Sequence, residues 1–78
     1  MKLDAEVKFN EPFPGTSIDI NEIYCIPVDS DYVHADEDEL YEWISNELYK
    51  KFNRTFSDRE FTVSNFWDLL DELDALSN

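Results

Sequence analysis

The first feature that limits the fold of this chain is an unbroken alternation near its start. Leu3, Ala5, Val7 and Phe9 are apolar, and Lys2, Asp4, Glu6 and Lys8 between them are charged. Successive side chains of a β-strand point to opposite faces, so a period of two over eight residues predicts a strand with one buried and one wet face. Such a strand needs neighbours for its backbone groups and a second layer over its apolar side. In a chain of 78 residues, both must come from one small domain, taken as residues 1–78.

The second layer is readable further along. Leu40, Ile44, Leu48 and Phe52 recur every four residues, with Tyr41 and Trp43 beside them, which is the stripe of an amphipathic helix. Asp36 and Glu39 have the spacing of a capping box, and Lys50 and Lys51 fall where the helix dipole favours cations. These signals predict a helix over 36–52. A second helix is predicted over 65–76, capped by Ser64 or Asn65, with Phe66, Leu69, Leu70, Leu73 and Leu76 as its apolar face.

The stretches between supply the neighbouring strands. Two prolines and Gly15 within 10–16 make a turn. Residues 18–28 are rich in β-branched and aromatic types and predict a second strand antiparallel to the first, with a bulge or kink near Asn21 and Glu22. Pro27 has no N–H for a ladder, which places it at a strand end or sheet edge. Residues 29–35 read as a loop and 59–63 as a third short strand. The order β-β-α-β-α predicts an α+β fold: a small antiparallel sheet of about three strands with both helices on one face.

Charge decides what kind of partner such a domain can have. Nineteen acidic and six basic residues give a net charge of −13. That excludes direct binding to DNA, RNA or an anionic membrane, because phosphate binding rests on Lys and Arg. Disorder is excluded by a hydrophobic content of 42% that includes twelve aromatic residues, enough for a core. Cys25 is the single cysteine, so no internal disulfide forms, and one Cys with one His cannot make a zinc site. No apolar run is long enough to span a bilayer, and the acidic N-terminus is unlike a signal peptide, so a cytoplasmic protein is expected.

Catalytic and cofactor chemistry also finds little support. Asp29 and Asp31 open like a calcium loop, but Val33, His34 and Leu40 stand where an oxygen ligand, Gly and Glu are needed. A Cys within a strand is expected to be a small buried hydrophobe, and His34 a solvated loop residue, rather than a nucleophile and its base. A single glycine allows no phosphate-cradling loop. No enzyme activity, metal or cofactor is expected.

The distribution of the charge says more than its total. From Phe9 to Tyr49 there is no Lys or Arg, and the same is true from Glu60 to the end. Lys50, Lys51, Arg54 and Arg59 form a basic seam between these two acidic regions. In the first region Asp36, Glu37, Asp38, Glu39 and Glu42 crowd the start of the first helix, where the dipole favours acids. In the second, Asp68, Asp71, Glu72 and Asp74 lie three or four residues apart on the second helix. Like charges at that spacing cost about 0.2–0.5 kcal/mol per pair. A row of carboxylates that repel one another has a use outside the fold: it presents anions at nearly the spacing of phosphates to a protein built to bind them. These nine acids are the candidate partner-binding residues, with Tyr32, Tyr41 and Trp67 as apolar anchors beside them.

In size, charge, aromatic content and acidic helix faces the chain resembles small phage-encoded inhibitors that imitate DNA, of the anti-CRISPR, anti-restriction and DNA-glycosylase-inhibitor types. The resemblance is one of class and carries no aligned motif. It implies a monomer or homodimer that blocks the nucleic-acid groove of a basic host protein, a CRISPR effector first among them, in the host cytoplasm. The stretch from Ser64 to Asp71, with Trp67 among its acids, is also similar to the acidic helix of barstar-like nuclease inhibitors, although the Tyr-Gly pair that precedes that helix is missing. That similarity implies the alternative of an immunity protein neutralising a basic nuclease. An acidic adaptor domain, its charge serving solubility alone, is the third expectation.

Overall fold

The structure is a computed structural model that describes residues 2–76. β1 (Lys2–Phe9) is the central strand of a three-stranded antiparallel sheet, flanked by β2 (Tyr24–Asp29) and β3 (Phe61–Val63) in the order β2-β1-β3. Helices α1 (Glu37–Phe52) and α2 (Phe66–Leu76) complete the expected α+β order. The register sets Leu3 opposite Val28, Ala5 opposite Ile26 and Phe9 opposite Phe61, so the apolar half of the alternation is shared across the sheet. These residues join Leu40, Ile44 and Leu48 of α1 and Leu69, Leu70 and Leu73 of α2 in one buried cluster. Both helices therefore cover the same face, and Asp4, Glu6 and Lys8 stay exposed on the other.

Each helix start is built differently. The Asp36 carboxylate accepts the Glu39 backbone N–H at 3.0 Å, and α1 ends on Asn53 in the left-handed conformation (φ 56°), whose N–H reaches the Tyr49 carbonyl at 2.7 Å. At α2 the Asn65 carbonyl accepts the first helical bond, from the Leu69 N–H. Its side chain turns to the sheet instead of the helix. Asn65 Oδ1 accepts the Glu6 N–H and its Nδ2 donates to the Asp4 carbonyl, both at 2.8 Å. One side-chain amide thus continues the β1 ladder past the end of β3.

Three expectations need correction. The second strand begins at Tyr24 rather than residue 18. Asp19 is the cause: its carboxylate accepts the Asn21 N–H, its carbonyl accepts the Glu22 N–H and its own N–H donates to the Tyr24 hydroxyl, a local turn that competes with the ladder. Cys25 is exposed because the register places it opposite Glu6, on the wet face. His34 is an exposed loop residue, as expected, and its backbone N–H donates to Glu39. Leu76 is exposed at the end of α2 and belongs to no buried face. Pro27 fits, since β2 is an edge strand, and its carbonyl accepts the Trp43 indole N–H at 2.8 Å.

At the Phe9 end of the sheet, five rings close the core. Phe13, Tyr24, Phe52 and Phe56 surround Phe9 with centroids 5.0–5.7 Å away. The Arg54 guanidinium lies over Phe13 at 4.5 Å and Phe56 at 4.9 Å and meets Glu60 at 3.5 Å. The basic seam thus serves the fold, with Lys50 also paired to Glu47. At about 1.5 Å per residue α1 is about 24 Å long, which separates its acidic start from its basic end.

Candidate acidic interaction surface

The nine candidate acids fall into three groups. Asp36 and Glu39 are engaged within the chain. Asp36 caps α1, and Glu39 Oε1 accepts the His34 backbone N–H at 3.0 Å and lies 2.9 Å from the ring Nδ1. The expected capping box is therefore half formed: its carboxylate reaches back to His34 rather than to Asp36.

Glu37, Asp38 and Glu42 make the second group, on one side of the first two turns of α1. Together with Asp58, from the loop before β3, they line a shallow groove of about 470 Å³ whose other walls are Tyr41, Ser45 and Phe66. A smaller hollow formed by Tyr41, Phe61, Val63 and Phe66 shares two of those residues, so the groove has an aromatic floor. Tyr41 stacks on Phe61 with centroids 5.3 Å apart. Its hydroxyl is buried and has no hydrogen-bond partner among the described residues. Burial, with the Asp58 charge added, pushes its pKa up to about 12. An unpaired buried hydroxyl costs about 1–3 kcal/mol. Phe66 is the first residue of α2, so the starts of the two helices meet at this groove.

Asp68, Asp71, Glu72 and Asp74 make the third group. All four are exposed, and none lines the groove. Asp68, Asp71 and Glu72 have no hydrogen-bond or ion-pair partner among the described residues, and the last turn of α2 holds no basic residue. Trp67, 66% exposed, stands beside them with its ring edge-on to Phe66. On the far side of α1, Tyr32 is 69% exposed and stacks parallel to Trp43 at 6.3 Å.

Sequence reasoning misses the groove itself. Glu37, Asp38 and Glu42 are among the expected contact residues, but Asp58 and Phe66 are not. The (i, i+4) relation of Asp38 to Glu42 on α1 is visible in the sequence, whereas the approach of Asp58 depends on how the loop folds back. Among the described residues no group of three or more His, Cys, Asp or Glu side chains is placed to hold a metal ion. No helix there is long and apolar enough to cross a membrane. Searches against protein-family models, characterised proteins and solved structures found no match to this chain.

Proposed function

We propose that the protein is an acidic DNA mimic that occupies the nucleic-acid-binding groove of a basic protein, a CRISPR effector being the first target to test. The observation that carries this reading is the exposed row on α2, where Asp68, Asp71 and Glu72 repel one another and hold no partner among the described residues. Asp68 lies in the first turn, where the helix dipole favours an acid, but Asp71 and Glu72 gain nothing there and each repels Asp68, so the use of that charge lies in the field it projects. Inhibition is then competitive exclusion by charge and shape, with no chemical step.

Competition tests the reading directly. Purified basic nucleic-acid-binding proteins, beginning with CRISPR effector complexes, are loaded with labelled DNA and titrated with this protein. Displacement that weakens steeply as salt rises is expected. The proposal fails if no member of the panel releases DNA, or if release is insensitive to salt.

A further inference from the structure

We infer that α2 is a detachable helix: it undocks from the sheet as a unit while the three strands and α1 stay folded, and a polycationic partner lying along it holds it down. The undocking stands on the packing, whereas the partner's part in it rests on the DNA-mimic reading. α1 packs closest on β2 and α2 on β1, so each helix has a strand of its own. β1 pairs with β2 on one side and with β3 on the other, and neither pairing runs through α2. α2 also follows the other four elements in chain order, so its departure interrupts no connection between them. Proteins open in cooperative units of this kind, at free energies below that of global unfolding.

The two helices are fastened unequally. α1 is closed at both ends, by the Asp36 side chain at its start and by left-handed Asn53 at its end, and Lys50 and Lys51 lie in its last turn. In α2 no side chain among the described residues accepts a first-turn N–H, because the amide of Asn65 is spent on Asp4 and Glu6 of β1. Its last turn holds no basic residue. What keeps it down is one buried face, Leu69, Leu70 and Leu73, together with the two bonds of Asn65. On the wet face Asp68 is favoured by the dipole but repelled by Asp71 and Glu72, and no Lys or Arg follows Glu60 to relieve them. That repulsion exists only while the helix keeps the acids in line, so it favours opening. Cations laid along the row reverse it, and they too need the acids in line. Docking of α2 and binding of a polycation therefore strengthen each other by the same factor.

Hydrogen exchange of the whole protein in low urea tests this, with the amides of Leu69, Leu70 and Leu73 set against those of Val7 and Ile44. The α2 amides are expected to exchange at least about tenfold faster and to depend less steeply on urea, because undocking exposes less surface than unfolding. Asp36→Ala weakens α1 and should speed exchange at Val7 and Ile44 about fivefold, while the α2 amides change by less than about twofold. Asn65→Ala should speed the α2 amides about thirtyfold. Asp71→Asn with Glu72→Gln removes both repulsions on Asp68 and should slow them about threefold. A lysine peptide held at about ten times its dissociation constant should slow them about tenfold. Equal exchange and equal urea dependence in α2 and β1, or an Asp36→Ala effect that reaches α2 in full, overturns the detachable helix. A bound peptide that leaves α2 exchange unchanged overturns the clamp. Failure to displace DNA from any basic protein, with α2 exchanging as expected, removes the DNA-mimic reading and leaves the detachable helix standing.

Discussion

The two helices carry similar numbers of acids and use them in opposite ways. In α1 the charge is partly built into the fold: Asp36 caps, Glu39 holds the preceding loop at His34, and Glu47 meets Lys50. In α2 the three acids Asp68, Asp71 and Glu72 hold nothing among the described residues, and the residue at the cap position, Asn65, gives its side chain to β1. Net charge alone does not separate these cases. What separates them is whether removing a carboxylate would orphan a group elsewhere in the chain, and by that measure α2 carries charge that the fold does not need.

The largest expected effect comes from reversing that charge. The triple variant Asp68→Lys, Asp71→Lys and Glu72→Lys should keep its fold, since none of the three side chains has a partner to lose among the described residues. Like-charge juxtaposition at an interface costs several kcal/mol, so affinity for a basic partner should fall by about two orders of magnitude or more. Circular dichroism checks the fold and DNA competition checks the affinity. Undiminished competition by a folded variant would show that α2 is not a contact surface and that the contrast between the helices has no bearing on function.

The two cap positions give a smaller effect, in stability. Asn65→Ala removes both bonds to the β1 backbone and should cost about 2 kcal/mol, at about 1 kcal/mol net per hydrogen bond. Asp36→Ala removes one capping bond and should cost about 1 kcal/mol. Urea unfolding of both variants ranks them. The reverse order would mean that α2 is held by its buried leucines alone and that the side-chain ladder of Asn65 is incidental.

The division between what the sequence shows and what only the structure shows follows the range of the forces involved. β1 and α1 were legible because their periods, two and about 3.6, are set by the backbone and marked by residues such as Val7 and Ile44 that are buried completely. The start of β2 at Tyr24 was not, because the side chain of Asp19 diverts the backbone and β propensity does not register a turn of that kind. Cys25 was misplaced for a related reason: its face follows from register, and register depends on the pairing partner. The nine acids expected at the surface were visible as a set, whereas Asp58, which joins Glu37, Asp38 and Glu42 at the groove, was not. Their sorting into cap, groove and exposed row was not, since Asp58 and Phe66 reach the groove from parts of the chain far from Glu37 in sequence.

The smallest effect sharpens the comparison where the helices meet. Tyr41 belongs to α1, and its ring faces the groove that Phe66 of α2 closes. Its hydroxyl is buried without a partner among the described residues, so Tyr41→Phe removes a cost and keeps the ring. Stability at neutral pH should be unchanged or rise by up to about 1 kcal/mol. The pH profile gives a second readout. The phenol titrates at about 12 in the folded protein against an ordinary value of 10.0, so the folded state holds its proton more tightly than the unfolded chain does. Its contribution is fully present below pH 10 and is lost as pH rises from there through about 12. The difference in urea midpoint between the Phe variant and the parent protein should therefore be flat up to pH 10 and widen in favour of the variant above it. Substitution that destabilises the protein at neutral pH would show that the hydroxyl is bonded through ordered water. In that event the groove is a hydrated site held by α1, rather than a hollow shared by the two helices.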